Sequence, residues 1–451
     1  MGLSSTGIGS GLDVNTIVTQ LMNAERGPIS LLQNKQSANN AKLSAFGTLK
    51  STVSTFQTAL KALGSTGTTG LGARTATTSD ATILGITTGA DAVPGTYAVE
   101  VTQLAKQAKL SSIGHTDTTT KLPTGTMSIQ VGAKTAIDIP SGDYSLLSLS
   151  KAINAAQAGV SATIVNDGTT GNRLVITAND SGAANTVKIT AGGGLGEFSF
   201  GPGTTGGQMV QNQAGQDATL KIDNILVTKP SNSITDAVSG LTINLLQAKV
   251  GTVVNVAVAA DKTAAKTAVT AFVDAYNKLG STIKTMTSYN QTTKTGAVLN
   301  GESGAAAIVT ALRKELTGAV TGAGGLKSLT DIGVSFQRDG TLAVNDVKLQ
   351  KALDTNFAGV TALFSGTDGY ATRLTATTTA ILGSSGVISS RTEGLNTAIK
   401  KNAIQQDDME MRLGVTEKRY RAQFSSLDSL MSRMQSTSNF LTQQLSALSN
   451  G

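Results

Sequence analysis

The chain has 451 residues with no cysteine, no tryptophan, a single histidine and 14% charged residues, against roughly 25% in an ordinary soluble protein. Without cysteine there is no disulfide framework, thiolate metal site or thiol nucleophile, and His115 alone supplies no pair of imidazoles for a metal. The net charge of +7 divides as +3 over residues 1–63, −1 over 64–262 and +5 over 263–451, with no basic strip interleaved with aromatics, so no nucleic-acid partner is expected.

Small neutral polar residues take the place of charge, with 106 Ser and Thr and 50 Gly. Cysteine absence suits export as well as the cytosol, and composition leaves the compartment open. Met1–Leu12, MGLSSTGIGSGL, has neither a basic n-region nor an apolar h-region, so no cleaved secretory signal is expected. No apolar run approaches about 18 residues, so no membrane insertion is expected.

The first helix is predicted after Asp13, a good N-cap, with Val14, Ile17, Val18, Leu21 and Met22 on one side before Gly27-Pro28 interrupts it. A second run sets Phe46, Leu49, Val53, Phe56, Leu60 and Leu63 on a heptad-like seam, and Gly64 ends it. From 64 to 262 short β-branched runs alternate with Gly, Asn, Asp and Pro turns, and only four of the sixteen aromatics lie there.

Within that centre, Ala81–Thr88, Thr96–Leu104, Ala218–Val227 and Leu241–Val258 are predicted strands of one β domain. An insert at 114–216 has its own strands, Met127–Val131, Val160–Asn166, Arg173–Thr177 and Val187–Thr190, and a helix near Leu146–Gln157. Helix returns near Ala264, with Val269, Phe272, Tyr276, Leu279, Ile283 and Met286 on a third seam, then Ile308–Leu316. Asp339-Gly340 marks a hairpin between Val334–Phe336 and Leu342–Val344, and Val347–Phe364 reads as helix again.

The C-terminal helix has the longest seam, Leu413, Tyr420, Phe424, Leu427, Met431, Met434, Leu441, Leu445 and Leu448, with Glu417 and Ser438 as its interruptions. Burying these side chains yields at most about 1.5–3 kcal/mol each, against about 1–2 kcal/mol for ordering each backbone position. Such a helix needs a partner on its apolar stripe: residues 14–63 of the same chain, or a neighbouring copy.

The chemical motifs are weak. Gly201-Pro202-Gly203-Thr204-Thr205-Gly206 fits a GxGxxG spacing, yet it falls in a Gly-rich loop with proline inside it, not between a buried strand and a helix. Gly322–Ser328 lacks the glycine that a phosphate loop places before its lysine, because Leu326 precedes Lys327. His115 and Asp117 are half a triad without a nucleophile, which reads as a solvated loop histidine. Asp407, Asp408 and Glu410 read as helix-surface charges, so no catalytic site, cofactor or metal is expected.

The blocks Gly9–Val18 with Gln20-Leu21-Met22, Glu25 and Pro28-Ile29, Thr96–Ala105, Ala271–Asn277, and Leu329–Val334 with Asp339-Gly340-Thr341-Leu342 resemble, in order, those of the flagellar filament cap family, also called hook-associated protein 2. One departure is Asn224, where the family commonly has Gly after Asp223. Asn tolerates left-handed backbone, so the turn is expected to survive.

The resemblance implies a multidomain α+β protein. A terminal coiled-coil leg comprises 1–45 and 405–451, and a helical body with a β-hairpin comprises 46–72 and 263–404. A first β-rich domain covers 73–113 and 217–262, with a second inserted at 114–216. It implies a secreted, extracellular, non-enzymatic protein at the distal tip of the bacterial flagellum, exported through the flagellar type III apparatus. There a homo-oligomeric ring, with a pentamer favoured, retains flagellin and promotes its polymerisation for motility. Implied partners are other copies of the chain, flagellin, the hook–filament junction protein, and an export chaperone at the C-terminal helix. The expected filament and self-association stripe is Val14, Ile17, Leu21, Leu413, Tyr420, Phe424, Leu427, Met431, Met434, Leu441, Leu445 and Leu448. The other reading from the residues is a secreted adhesin whose Ser/Thr-rich β domains bind host mucin or glycans in cell adhesion.

Overall fold

The computed structural model describes residues 13–65 and 67–449, with side chains through Ser446. The signature residues before Asp13, the stretch Met1–Leu12 and the side chain of Leu448 lie outside the described residues. The chain divides into two compact units, residues 64–268 and the remainder.

α1 (Val14–Glu25) begins where the Asp13 carboxylate accepts from the Thr16 amide at 3.0 Å and from its hydroxyl at 2.6 Å. The helix stops at Arg26, and α2 (Gly27–Leu63) restarts with Pro28 in its first turn, where a missing N–H costs nothing. All six predicted seam residues of α2, Phe46 to Leu63, are buried.

The central unit then runs β1 (Arg74–Thr78), β2 (Leu84–Thr88), β3 (Gly95–Gln103), β4 (Gln107–Ser111), β5 (Gly125–Val131), β6 (Ile137–Ile139), α3 (Leu146–Ala156), β7 (Val160–Asn166), β8 (Asn172–Ser181), β9 (Val187–Gly193), β10 (Val210–Gln213), β11 (Ala218–Ile222), β12 (Ile225–Lys229), β13 (Ser233–Ile234), β14 (Leu241–Leu245) and β15 (Val253–Ala260). Sheets ordered β1-β15-β3-β11-β12 and β13-β14-β2 enclose one core, which includes Val99, Val101, Leu220, Ile243, Val254 and Val256. Alternation along β15 shows the cause: Val254, Val256 and Val258 are buried and Val253, Asn255 and Ala257 are exposed.

A second core, including Leu110, Ile129, Leu149, Ile153, Leu174, Ile176 and Phe198, lies among α3 and sheets ordered β10-β4-β8-β7 and β6-β5-β9. Two expectations change here. The run 241–258 is not one strand but β14 and β15 in different sheets, parted at a turn with Gly251 at φ 80° and Thr252 N donating to Lys249 O. The strand Gln107–Ser111 pairs with β8 and β10, so the inserted sheet begins upstream of the expected boundary at 114. The run 218–227 folds into the β11–β12 hairpin with Asp223 and Asn224 at φ 48° and 65°, a turn that needs left-handed backbone at both positions.

The chain continues with α4 (Lys262–Thr287), β16 (Tyr289–Asn290), β17 (Thr295–Gly296), α5 (Ser303–Thr317), β18 (Val334–Phe336), β19 (Leu342–Val344), α6 (Asp346–Thr355), α7 (Phe357–Ser365), α8 (Tyr370–Leu382) and α9 (Val387–Ser449). Phe56 meets Phe272 at 5.9 Å between ring centroids, and Phe272 meets Phe364 edge-on at 5.9 Å. The predicted β18–β19 hairpin is present, and Asn277 of α4 exchanges two 2.8 Å hydrogen bonds with the backbone of Leu342. Val347–Phe364 is two helices, because Asn356 ends α6 and caps α7 by accepting from the Gly359 amide at 3.0 Å.

Candidate functional site

The terminal helices pack along α9, and two side-chain pairs fix the direction: Gln406 donates to Gln36 at 2.6 Å, and Arg421 donates to Asn15 at 2.9 Å. Rising numbers on α9 meet falling numbers on α2 and α1, so the contact is antiparallel. Val14, Val18 and Met22 form a small buried cluster against partly buried Leu413, Tyr420 and Phe424. Tyr420 Oη lies 3.4 Å from Glu25 Oε1, and Arg421 is also bonded to Glu417 at 2.8 Å. Asp13, at the start of α1, is held below the usual carboxyl range chiefly by the Thr16 hydroxyl, then by the Thr16 amide.

The contacting face of α1 is therefore the Val14, Val18, Met22 edge. Ile17 is half-buried and Leu21 is 38% exposed. On α9 the predicted stripe divides at Phe424. Leu413, Tyr420 and Phe424 are covered by α1, whereas Leu427, Met431, Met434, Leu441 and Leu445 are 41–67% exposed. Leu430 and Phe440, absent from the predicted stripe, are also exposed at 54% and 59%. The helix thus runs about 38 Å beyond Phe424, at 1.5 Å per residue, with an apolar side that nothing among the described residues covers.

A polar layer interrupts the α2–α9 seam. The positions Ile29, Leu32, Gln36, Asn39 and Leu43 extend the α2 heptad upstream of Phe46, and Asn402 and Gln406 face them from α9. Asn402 is 3% exposed, and the Nδ2 atoms of Asn39 and Asn402 are buried without a hydrogen-bond partner. Continuing the 3–4 spacing of α2 toward its start was the available signal for this layer.

The groups weighed for chemistry are dispersed. His115 is not a solvated loop residue: its side chain is 17% exposed, its ring lies 5.9 Å from Phe198 in near-parallel stacking, and Nε2 is 3.7 Å from Glu197. The apolar surface at Phe198 explains that burial. Asp117 accepts from the Thr119 amide at 3.0 Å and from the Thr119 and Thr120 hydroxyls, and these bonds depress its carboxyl. Asp223 sits in the β11–β12 turn, accepting from the Ala98 amide at 2.8 Å. Asp407, Asp408 and Glu410 are exposed on α9. Among the described residues no three His, Asp or Glu side chains converge as a metal site, and no helix is long and apolar enough to cross a membrane.

Comparison with known proteins agrees with this helix-flanked β architecture. Residues 10–108 match the flagellar hook-associated protein 2 N-terminus, residues 215–436 match its C-terminus, and residues 126–180 match a flagellin hook IN motif. Flagellar hook-associated protein 2 of Escherichia coli is 35% identical over 470 aligned positions, covering 99% of both chains. The A-type flagellar hook-associated protein 2 of Pseudomonas aeruginosa is 31% identical, covering 98% of this chain and 97% of that one. The crystal structure of the D1-D2-D3 domains of the Escherichia coli flagellar cap protein FliD superposes with a TM-score of 0.65 at 33% identity, covering 78% of this chain and 99% of that one. These similarities favour the cap over the adhesin and describe a structural protein, not an enzyme. With β-rich modules between helical ends and relatives that match from end to end, the chain belongs to the flagellar hook-associated protein 2 family.

Proposed function

We propose that the chain caps the distal, extracellular tip of the flagellar filament as a ring of identical copies, with five favoured. There it retains exported flagellin and promotes its folding into the next lattice position. α1 and the end of α9 act as legs that grip the filament end, the helical body places the legs, and the two β-rich domains form the ring plate that closes the channel. Before export through the flagellar type III apparatus, a chaperone covers the C-terminal helix. At the base of the first filament turns, the hook–filament junction protein is the neighbour.

The observation that carries this reading is the division of the α9 stripe. Val14, Val18 and Met22 cover its first part, and Leu427 to Leu445 are left exposed over about five turns. An apolar strip of that length stays soluble as a working surface only if it is covered in each of its settings, by chaperone, by neighbouring copies or by filament. Marginal intrinsic stability suits legs that release and rebind as the filament grows.

Deletion of residues 405–451 tests the leg assignment. Filaments are expected to stop elongating while flagellin accumulates in the medium. Normal elongation without that accumulation overturns the assignment.

A further inference from the structure

α4 and α5 bound a cavity of about 700 Å³ in the helical unit, within the roughly 300–1,000 Å³ of a small-molecule site. The loop before α5 closes one end, where Leu299 N donates to Met286 O and Asn300 Nδ2 donates to Thr287 O, both at 2.8 Å. The β18–β19 turn closes the other. There Tyr276 Oη donates to Gly340 O at 3.4 Å, and a β-carbon on Gly340 would stand 2.5 Å from Arg313 Nη2. Gly280 leaves room between the two ends, since a β-carbon on it would meet nothing within 4 Å.

The ends differ in chemistry. Toward the loop the wall is apolar: Ile283 and Leu299 are buried, and Ala306 and Val309 carry the lining along α5. Glu302 at that end is already paired, with Lys42 Nζ at 2.7 Å and Arg391 Nε at 4.0 Å. At the turn, Asn277 is committed to the Leu342 backbone, and Asp339 accepts from the Thr341 amide at 3.0 Å and its hydroxyl at 2.7 Å. Two cations remain. Arg313 and Lys284 line the cavity, are exposed, and make no ion pair among the described residues, while Lys284 acts at longer range on Asp339. The unspent charge of the cavity is therefore positive and lies at the turn.

We propose that this cavity binds a single-chain amphiphile with an anionic head, a medium-chain carboxylate whose head rests on Arg313 and Lys284 and whose tail runs toward Leu299. The guanidinium fork matches a carboxylate in shape, and the ammonium adds a second positive charge. The walls extend from Tyr276 to Thr287 and from Arg313 to Ser303, about 15 Å at 1.5 Å per residue, a span that suits an alkyl tail. A through-running peptide is blocked by the turn at one end and the loop at the other. Among the described residues none of α1 or α9 lines the cavity, so the site does not rest on the leg assignment.

Calorimetric titration of the full-length protein tests this, with decanoate, decanol and decyltrimethylammonium each kept below its micelle concentration. Decanoate is expected to bind once per chain, at least about tenfold more tightly than either of the others, because hydrogen bonds to ionised groups are the strong ones. Arg313→Ala is expected to weaken decanoate at least about tenfold and to leave decanol unchanged. Arg313→Glu with Lys284→Glu turns the preference toward the cationic amphiphile. Ala306→Trp with Thr310→Trp, both at exposed positions, fills the cavity and abolishes decanoate binding while leaving the exposed stripe of α9 as it was. That pair separates this site from coating of the stripe. Far-UV circular dichroism matching the parent confirms that each variant is folded. No binding of decanoate, equal affinity for decanoate and decanol, or binding unmoved by Arg313→Ala or by the paired tryptophan substitutions overturns the proposal.

Discussion

Val18 offers the sharpest probe of how the terminal helices engage. It is 1% exposed and lies in the cluster with Leu413, Tyr420 and Phe424, whereas Leu21, one turn on, is 38% exposed. Val18→Ala removes two buried carbons, worth about 0.8 kcal/mol each by transfer, and leaves a cavity that α1 alone is free to close. The expected loss is about 2 kcal/mol of the local pairing free energy. At RT near 0.59 kcal/mol that is roughly a thirtyfold rise in the open population of α1, which amide hydrogen exchange reads directly. Protection should fall across 14–25 and across 413–424, while amides around Phe56 and Phe272 hold theirs. Leu21→Ala, on the exposed side, should change exchange by no more than about 0.5 kcal/mol in free-energy terms. Equal loss of protection in the two variants refutes the assignment of the Val14, Val18, Met22 edge as the contacting face.

The polar layer gives a prediction of opposite sign. Asn39→Leu combined with Asn402→Leu should raise the denaturant midpoint of the helical unit, since each removes a buried unpaired amide whose desolvation costs about 1–3 kcal/mol, and an unchanged or lowered midpoint contradicts the reading of those amides as unsatisfied. In the β7–β8 turn, Asp167 accepts from Thr170 and Arg173 side chains and from the Thr169, Thr170 and Gly171 amides, which hold its carboxyl far below the ordinary carboxylate range, led by the Thr170 hydroxyl. Because the folded value is depressed, that support is complete above the unfolded value of 3.8 and is lost only as pH falls further toward the folded value. Thermal melts between pH 5 and 8 should therefore show an Asp167→Asn deficit that does not vary with pH, read against the parent's melts.

The long periodic helices were legible because their apolar spacing leaves one solution. The seams of α2 and α4 fill the aromatic core around Phe56, Phe272 and Phe364, and Asp339-Gly340 makes the turn its chemistry demands, with Gly340 at φ 85°. The phase of α1 was not legible. Val14, Ile17, Val18, Leu21 and Met22 cover an arc of about 140° at 100° per residue, wide enough for two faces, and only the position of α9 selects one edge of it. The strands β1, β4 and β10 were missed for a different reason. Arg74–Thr78, Gln107–Ser111 and Val210–Gln213 are short and rich in Thr, Gln or Lys, and they are defined by pairing with β15, β8 and β4, respectively, more than by their own hydrophobicity.

On the site, the stripe from Leu413 to Leu445 was readable as a seam, but its division at Phe424 was not. That division depends on where α1 begins, at Val14, opposite the Arg421 turn of α9. The orphan amides of Asn39 and Asn402 were equally hidden, because a seam search keyed to apolar residues stops at the first polar one.

The exposed stripe beyond Phe424 is central to the proposed cap function, and a strain carrying Leu427→Asp with Met431→Asp tests it most directly. Both positions are 41% exposed, so the free protein tolerates the charges, whereas any apolar partner must desolvate them. Filament length and flagellin in the medium are the measurements, taken in cells where the variant itself is exported at parental amounts. Short or absent filaments with flagellin lost to the medium are expected; filaments of normal length with no loss of flagellin contradict the assignment of α9 as the gripping leg.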